Sequence, residues 1–156
     1  MVLAWLWILR ITGAEARSMI EDGLEAVFKD GGTTGPYPYA GGLRFDVDAG
    51  QAKGARASNF EVYDAASQAW LALDDSRTYK LAVLSFNATG GDGYATLADV
   101  VADGRVQDVG VLDVDIFQCY IDAQEKGSAT PLPILSRLDH SLYSTKSFIA
   151  KTAAAQ

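Results

Sequence analysis

The stretch Phe86-Asn87-Ala88-Thr89-Gly90-Gly91-Asp92-Gly93-Tyr94 places an aromatic ring six residues before a carboxylate, with three glycines around the acid. Glycine lets a backbone come close to a ligand and take positive φ angles without steric cost. A flat ring and an acid on such a loop are the equipment for holding a nucleoside: the ring stacks on the base and the carboxylate accepts from ribose hydroxyls. On this pattern Phe86, Gly90, Gly91 and Asp92 are candidate binding residues. The same letters also read as a plain Asp-Gly turn whose carboxylate bonds its own backbone, with Phe86 buried at the end of an apolar strand.

A second segment carries aromatic groups in a Pro/Gly frame. Gly35-Pro36-Tyr37-Pro38-Tyr39-Ala40-Gly41-Gly42 feeds the strand-like run Leu43 to Asp48. Tyr37 sits between two prolines, which favours an exposed ring, so it joins the candidates. A third piece, Thr12-Gly13-Ala14-Glu15, has the Thr-x-x-Glu spacing of a capping box.

Taken in chain order, Thr12 to Glu15, Gly35 to Phe45 and Phe86 to Tyr94, the three pieces resemble the C-terminal, substrate-binding domain of the 5'-nucleotidase family. Those hydrolases remove phosphate from nucleotides, and some act on UDP-sugars or 2',3'-cyclic nucleotides. The family's pieces look like T-G-x-x-L, then G-x-F/Y-P-x-x-x-G-L-R-F, then F-x-x-x-G-G-D-G-Y/F. The resemblance runs from about Leu9 to about Phe148. It implies an α+β fold, a mixed or antiparallel sheet with flanking helices. It implies that Tyr37 and Phe86 sandwich the base and that Asp92 holds the ribose. It implies no catalytic residue in this chain: two divalent metal ions would sit in a separate N-terminal metallophosphatase domain, the chain's expected partner. Domain rotation would carry the substrate to them. An N-x-G-x-x-R segment that supplies a phosphate-binding arginine would precede this chain, which leaves the domain truncated at its front edge and a sheet edge or apolar surface open. The resemblance also implies a periplasmic or extracellular location. One departure is that Leu84-Ser85 stands where the family commonly has Asn-Asp or Thr-Asn.

The totals bound the rest. At 156 residues, the chain fits one domain with a real core. Its 49% hydrophobic and 21% charged residues are those of an ordinary globular protein. A net charge of −7 argues against binding a nucleic-acid polymer, which needs a basic face, but not against a mononucleotide. One cysteine, Cys119, allows neither an internal disulfide nor a cysteine-rich metal site. The apolar start, Met1 to Leu9, is too short for a membrane span and lacks the features of a signal peptide, so it reads as a buried strand.

After the Thr12 box, Ala16, Met19, Ile20, Val27 and Phe28 recur at helical spacing as one core stripe, ended by Gly31-Gly32. Residues 31–42, with five glycines and two prolines, form a loop. Leu43, Phe45 and Val47 alternate with polar residues, as in a half-buried strand. Ala57 to Tyr63 and Ala69 to Leu73 make a hairpin around Asp64 to Ser67. Thr78 to Phe86 is the strongest strand. Ala95 to Ala102 is ambiguous, a short helix being one reading. Asp113 reads as an N-cap, and Val114, Phe117, Tyr120 and Ile121 as the stripe of a second helix. Gly127 to Pro133 is a loop, and the tail from about Thr152 is frayed. Helices flanking strands and hairpins point to an α+β domain.

The remaining polar residues read as structural. Arg44, Arg10 and Arg17 are surface or ion-paired groups, and Asp46 and Asp48 share a solvated strand face. His140, alone, supports no metal site. Tyr94 packs under the glycine loop, and Asn87 caps that loop or touches a ligand. Three functions compete: the specificity half of a nucleotide hydrolase, a stand-alone binding module without catalysis, and an interaction domain using an apolar patch around Trp5 and Trp7.

Overall fold

A computed structural model describes residues 4–124 and 135–151. The expected loop at Gly127 to Pro133 and the tail from Thr152 lie outside them. Two sheets are built. The first has the order β5-β1-β6, with β1 (Trp5–Thr12) between β5 (Thr78–Leu84) and β6 (Val106–Leu112), all antiparallel. The second has the order β4-β3-β2-β7. In it β2 (Leu43–Asp48) pairs antiparallel with β3 (Ala57–Asp64) and parallel with β7 (Thr145–Ile149), and β4 (Ala69–Ala72) closes the expected hairpin with β3. The architecture is the expected α+β, with mixed and antiparallel sheets.

The start of α1 (Gly13–Phe28) follows from Thr12 and Glu15. Glu15 N–H donates to Thr12 Oγ1 at 3.2 Å, and Thr12 N–H donates back to Glu15 Oε2 at 2.7 Å, a complete capping box. Arg105, just before β6, then grips both Glu15 oxygens at 2.9 and 2.7 Å. A side chain at position 13 would put its Cβ 2.1 Å from the Asp74 carbonyl oxygen, so Gly13 is fixed by this close approach. The helix ends at Phe28, three residues before Gly31-Gly32.

One apolar stripe is too little for this helix. Ala16, Met19, Ile20 and Leu24 are buried, but so are Glu21, Asp22 and Gly23. Burying acids is costly unless they are partnered, and these are. Glu21 accepts from Gly54 N–H at 2.9 Å and Ala57 N–H at 2.6 Å. Asp22 accepts from Thr96 N–H at 2.8 Å and Thr96 Oγ1 at 2.7 Å, and pairs with Lys53 at 3.0 Å. One turn on, Glu25 pairs with Arg56. The helix is central. The core packed on it includes Leu9, Phe45, Val47, Leu97 and Val100, each under 2% exposed.

Several expectations change, and the ambiguous Ala95–Ala102 resolves. The strand expected to reach Phe86 ends at Leu84, and Ser85–Ala88 form a short helical turn, α2. Residues Ala95–Ala102 are helical, α3. Asp113 opens α4 (Asp113–Asp122) from inside, because Leu112 is the cap residue. The expected core stripe of α4 faces solvent instead: Val114, Phe117 and Tyr120 are exposed. Strand β1 is the expected N-terminal strand, but only partly buried. Trp5 is exposed while Trp7 packs against the core, so the two form no joint patch. Strands β6 and β7 lack a clean alternation of apolar and polar residues, which is why sequence reading passes over them.

The Glu15 clamp sets a pH signature. Its carboxyl is lowered to about 2 from an ordinary 4.5, first through the Arg105 hydrogen bond and then through the Thr12 contacts, against a burial effect that raises it. A depressed carboxylate stabilises the fold above its unfolded pKa and loses that contribution as pH falls through its folded pKa. Urea unfolding midpoints of Glu15→Gln are therefore expected below wild type at pH 7, with the gap closing between about pH 4.5 and 2. Thr12→Ala is expected to cost about 1 kcal/mol at neutral pH.

Candidate functional site

The glycine loop is built on unusual backbone. Gly90 and Gly93 have φ of 94° and 88°, and Asp92 between them has φ 59°. Left-handed backbone is uncommon for residues with a side chain, and Asp is among the types that tolerate it. Gly91 is set by contact: an added Cβ would lie 2.6 Å from both Phe86 O and Phe86 Cζ. The edge of the Phe86 ring thus lies on Gly91, and the ring is 47% exposed.

This loop faces the Pro/Gly segment across a cavity of about 620 Å³. Tyr37, Asn87, Asp92, Tyr94 and Lys80 are on its wall, as are Met19 and Ile20 from α1. Tyr37 is half-buried between buried Pro36 and Pro38. Its hydroxyl shares a 2.7 Å hydrogen bond with Thr145 Oγ1 of β7, and burial pushes its pKa up. Tyr39 lies 4.9 Å away ring to ring and is 84% exposed. Asn87 Nδ2 is 3.5 Å from Asp92 Oδ2, at the outer limit of a hydrogen bond.

Tyr94 ties the two segments together. It is buried, and its hydroxyl donates to the Pro36 carbonyl at 2.8 Å. Burial, then the charges of Asp92 and Asp22, raise its pKa to about 12, so the phenol keeps its proton. The bond crosses α1 at Gly23, where an added Cβ would sit 2.7 Å from Tyr94 Oη and 3.0 Å from Pro36 O. A glycine inside a helix is unfavourable by roughly 0.5–1 kcal/mol against alanine. Here the space is needed. That mid-helix glycine was the one sequence signal that a backbone crosses close by.

Of the sequence candidates, Tyr37 and Asp92 therefore line one cavity. Phe86 is not on that wall; its exposed ring lies against Gly91 of the same loop, so the two rings do not stand as a pair across the cavity. Tyr39 and Lys80 join the site only through the fold, and Asn87, read in the sequence as a loop cap or a ligand contact, is on its wall. Other polar groups have structural partners. Arg44 pairs with Glu61 at 2.8 Å and stacks 4.2 Å from the Trp70 ring centroid. Asp46 accepts from Asn59 Nδ2 at 2.6 Å, and Asp48 accepts from Gly50 N–H at 2.9 Å. His140 stacks on Tyr143 at 4.3 Å. Among the described residues, no group of three His, Cys, Asp or Glu side chains is placed to hold a metal ion, and no helix is long and apolar enough to cross a membrane.

Comparison with known proteins bears on this geometry. The family model described as "5'-nucleotidase, C-terminal domain" matches residues 5–99. A protein named "Probable 5'-nucleotidase" from Treponema pallidum is 33% identical over 111 residues, which is 70% of this chain and 18% of that protein. A snake venom 5'-nucleotidase from Macrovipera lebetinus is 28% identical over 144 residues, 91% of this chain and 34% of the relative. The structure of the NAD nucleotidase of Haemophilus influenzae superposes with a TM-score of 0.70 at 26% identity, over 76% of this chain and 21% of that one. The chain thus spans between about a fifth and a third of the length of these relatives.

The Tyr94 bond yields a prediction. Tyr94→Phe leaves the Pro36 carbonyl without its buried donor and is expected to cost about 1–3 kcal/mol in urea unfolding. Amide exchange in residues 35–41 should quicken with it. Gly23→Ala, which displaces the same pair of atoms, should produce the same exchange pattern.

Proposed function

The chain belongs to the 5'-nucleotidase C-terminal domain family, and from that premise we propose that it is the nucleotide-specificity half of a nucleotide hydrolase. The nucleoside end binds at the cavity between residues 35–41 and 86–94. A base stacks on the exposed face of Phe86 or against Tyr37, and the Asp92 carboxylate accepts from the vicinal ribose hydroxyls in charge-assisted bonds. Gly90, in left-handed backbone, and Gly91, bare against the Phe86 ring, shape the turn that brings Asp92 to the wall. Asn87 offers the one side-chain amide on the wall among the described residues.

The observation that carries this reading is the meeting of Tyr37, Asn87 and Asp92, distant in the chain, on one cavity wall. Membership in the family and the NAD nucleotidase likeness support a nucleotide ligand. Phosphate cleavage belongs to a separate N-terminal metallophosphatase domain. There, two divalent metal ions would activate water and stabilise the leaving oxygen. Closure of that domain on this one would bring the phosphate to the metals. In this reading the present chain is catalytically inactive alone; the part of the Treponema relative that it matches is 18% of that protein. A periplasmic or extracellular location is part of the proposal, supported by a relative whose name places it in venom.

Calorimetric or NMR titration of adenosine tests the site. Weak saturable binding to the wild-type chain is expected. Phe86→Ala should weaken it about tenfold or more, given roughly 1–3 kcal/mol per stacked base. Asp92→Asn should weaken adenosine about tenfold, from loss of a charged acceptor, but 2',3'-dideoxyadenosine little. A folded chain that binds no adenosine would remove the nucleoside reading and leave the fold assignment standing.

A further inference from the structure

The wall formed by residues 35–41 carries one held ring and one free ring. Tyr37 is fixed twice: its hydroxyl shares the 2.7 Å bond with Thr145 Oγ1, and buried Pro36 and Pro38 flank it. Tyr39, two residues on, has a tied backbone and a loose side chain. Its N–H donates to the Tyr37 carbonyl at 2.9 Å, while the residue is 84% exposed. Its ring centroid lies 4.9 Å from that of Tyr37, with the planes tilted by 49°. The two rings rest on each other, too close for a base to enter between them. A base with a ring on each face needs those rings roughly 7 Å apart.

The fold leaves Tyr39 room to move off. Tyr39, Ala40 and Gly41 line the first cavity and also a second one of about 530 Å³, whose wall includes Leu138, Leu142 and Tyr143. Leu138 and Leu142 are 56% and 43% exposed, an apolar seat for a ring. A Cβ added at Gly41 or Gly42 would meet no atom of the described residues within 4 Å, so the space beside Tyr39 is open. Tyr39 thus stands on the boundary between two cavities. Rotation about its side-chain bonds, fast for an exposed residue, carries the ring from one toward the other while its backbone bond to Tyr37 stays. Phe86, the other ring of the sequence reading, is not on the first cavity's wall, which leaves Tyr39 as the ring that can close on Tyr37 there.

We propose that Tyr39 is a movable base-contacting ring of this site. It leaves Tyr37 when a nucleoside enters, leans toward the second cavity, and packs on the free face of a base stacked on Tyr37. The proposal rests on the nucleoside reading of the cavity and adds to it a specificity-determining residue. Stacking on a base stabilises more than the tilted tyrosine pair that it replaces, so the exchange favours binding. The resting contact between the two tyrosines disfavours ligands that bring no flat ring in exchange. Because Thr145 holds Tyr37, the base meets one fixed face and one adjustable face.

The test is an NMR titration of adenosine into the wild-type chain, Tyr39→Phe, Tyr39→Ala and Asp92→Asn. In the free wild-type chain, nuclear Overhauser effects should connect the Tyr37 and Tyr39 rings. At saturation these are expected to give way to effects from adenine protons to both rings, and from the Tyr39 ring to the methyls of Leu138 or Leu142. Tyr39→Phe keeps the ring and should bind within about twofold of wild type, whereas Tyr39→Ala should bind about three- to tenfold more weakly. The urea midpoint of Tyr39→Ala should match wild type, because the side chain is exposed. Equal affinity of Tyr39→Ala and wild type overturns the role of Tyr39. So does persistence of the Tyr37–Tyr39 contact at saturation, or a lowered urea midpoint, which would mark a structural role. If any of these occurs while Asp92→Asn still weakens adenosine, the nucleoside reading stands without Tyr39. A folded wild-type chain that binds no adenosine removes both.

Discussion

The rest of the structure hangs on a helix that is buried with its charges still on it. At Glu21 and Asp22, α1 presents carboxyl groups to the interior, with half-buried Glu25 one turn on, and the buried ones must find donors or the helix cannot stay there. The donors come from outside the helix. Gly54, Ala57 and Arg56 come from the segment leading into β3, and Lys53 from the turn before it; Thr96 comes from the first turn of α3. Desolvation turns these acids into fasteners. The side chain of Asp22 supplies the capping acceptor that α3 lacks in its own sequence, since Tyr94 at its start makes no side-chain cap bond.

The same helix positions the candidate site. Gly23 opens a notch through which Tyr94 reaches the Pro36 carbonyl, and this one bond draws the glycine loop and the aromatic loop to facing sides of a cavity. Pro36 and Pro38 then limit how Tyr37 can turn, and its hydroxyl is held by Thr145 from β7. Loops positioned this way by a rigid scaffold are the usual carriers of binding residues. The division of labour is clear in the tyrosines: Tyr94 is buried and held protonated, Tyr37 is half-buried, and Tyr39 is nearly free.

The wall of the cavity is mostly apolar, with three polar side chains that could orient a ligand: the Asp92 carboxylate on left-handed backbone, the Asn87 amide beside it, and Lys80 on β5.

Much of this was legible in the chain itself. Thr12 and Glu15 announced the start of α1, because a capping box is a local interaction between residues three apart. Alternation in Leu43 to Val47 and the turn at Asp64 to Ser67 announced β2 and the β3–β4 hairpin, because strand period and turn chemistry are also local. The candidate residues Tyr37, Phe86, Gly90, Gly91 and Asp92 were picked by residue type and resemblance. What no local pattern encodes is which faces end up covered. The stripe of α4 looks like a core stripe in sequence and faces solvent, while Glu21 and Asp22 look like surface acids and are buried. Likewise the placing of Tyr37 and Asp92 on one wall, with Phe86 outside it, depends on a hydrogen bond between residues 58 positions apart. Burial and long-range contact are properties of the assembled layers, so only the tertiary structure decided them.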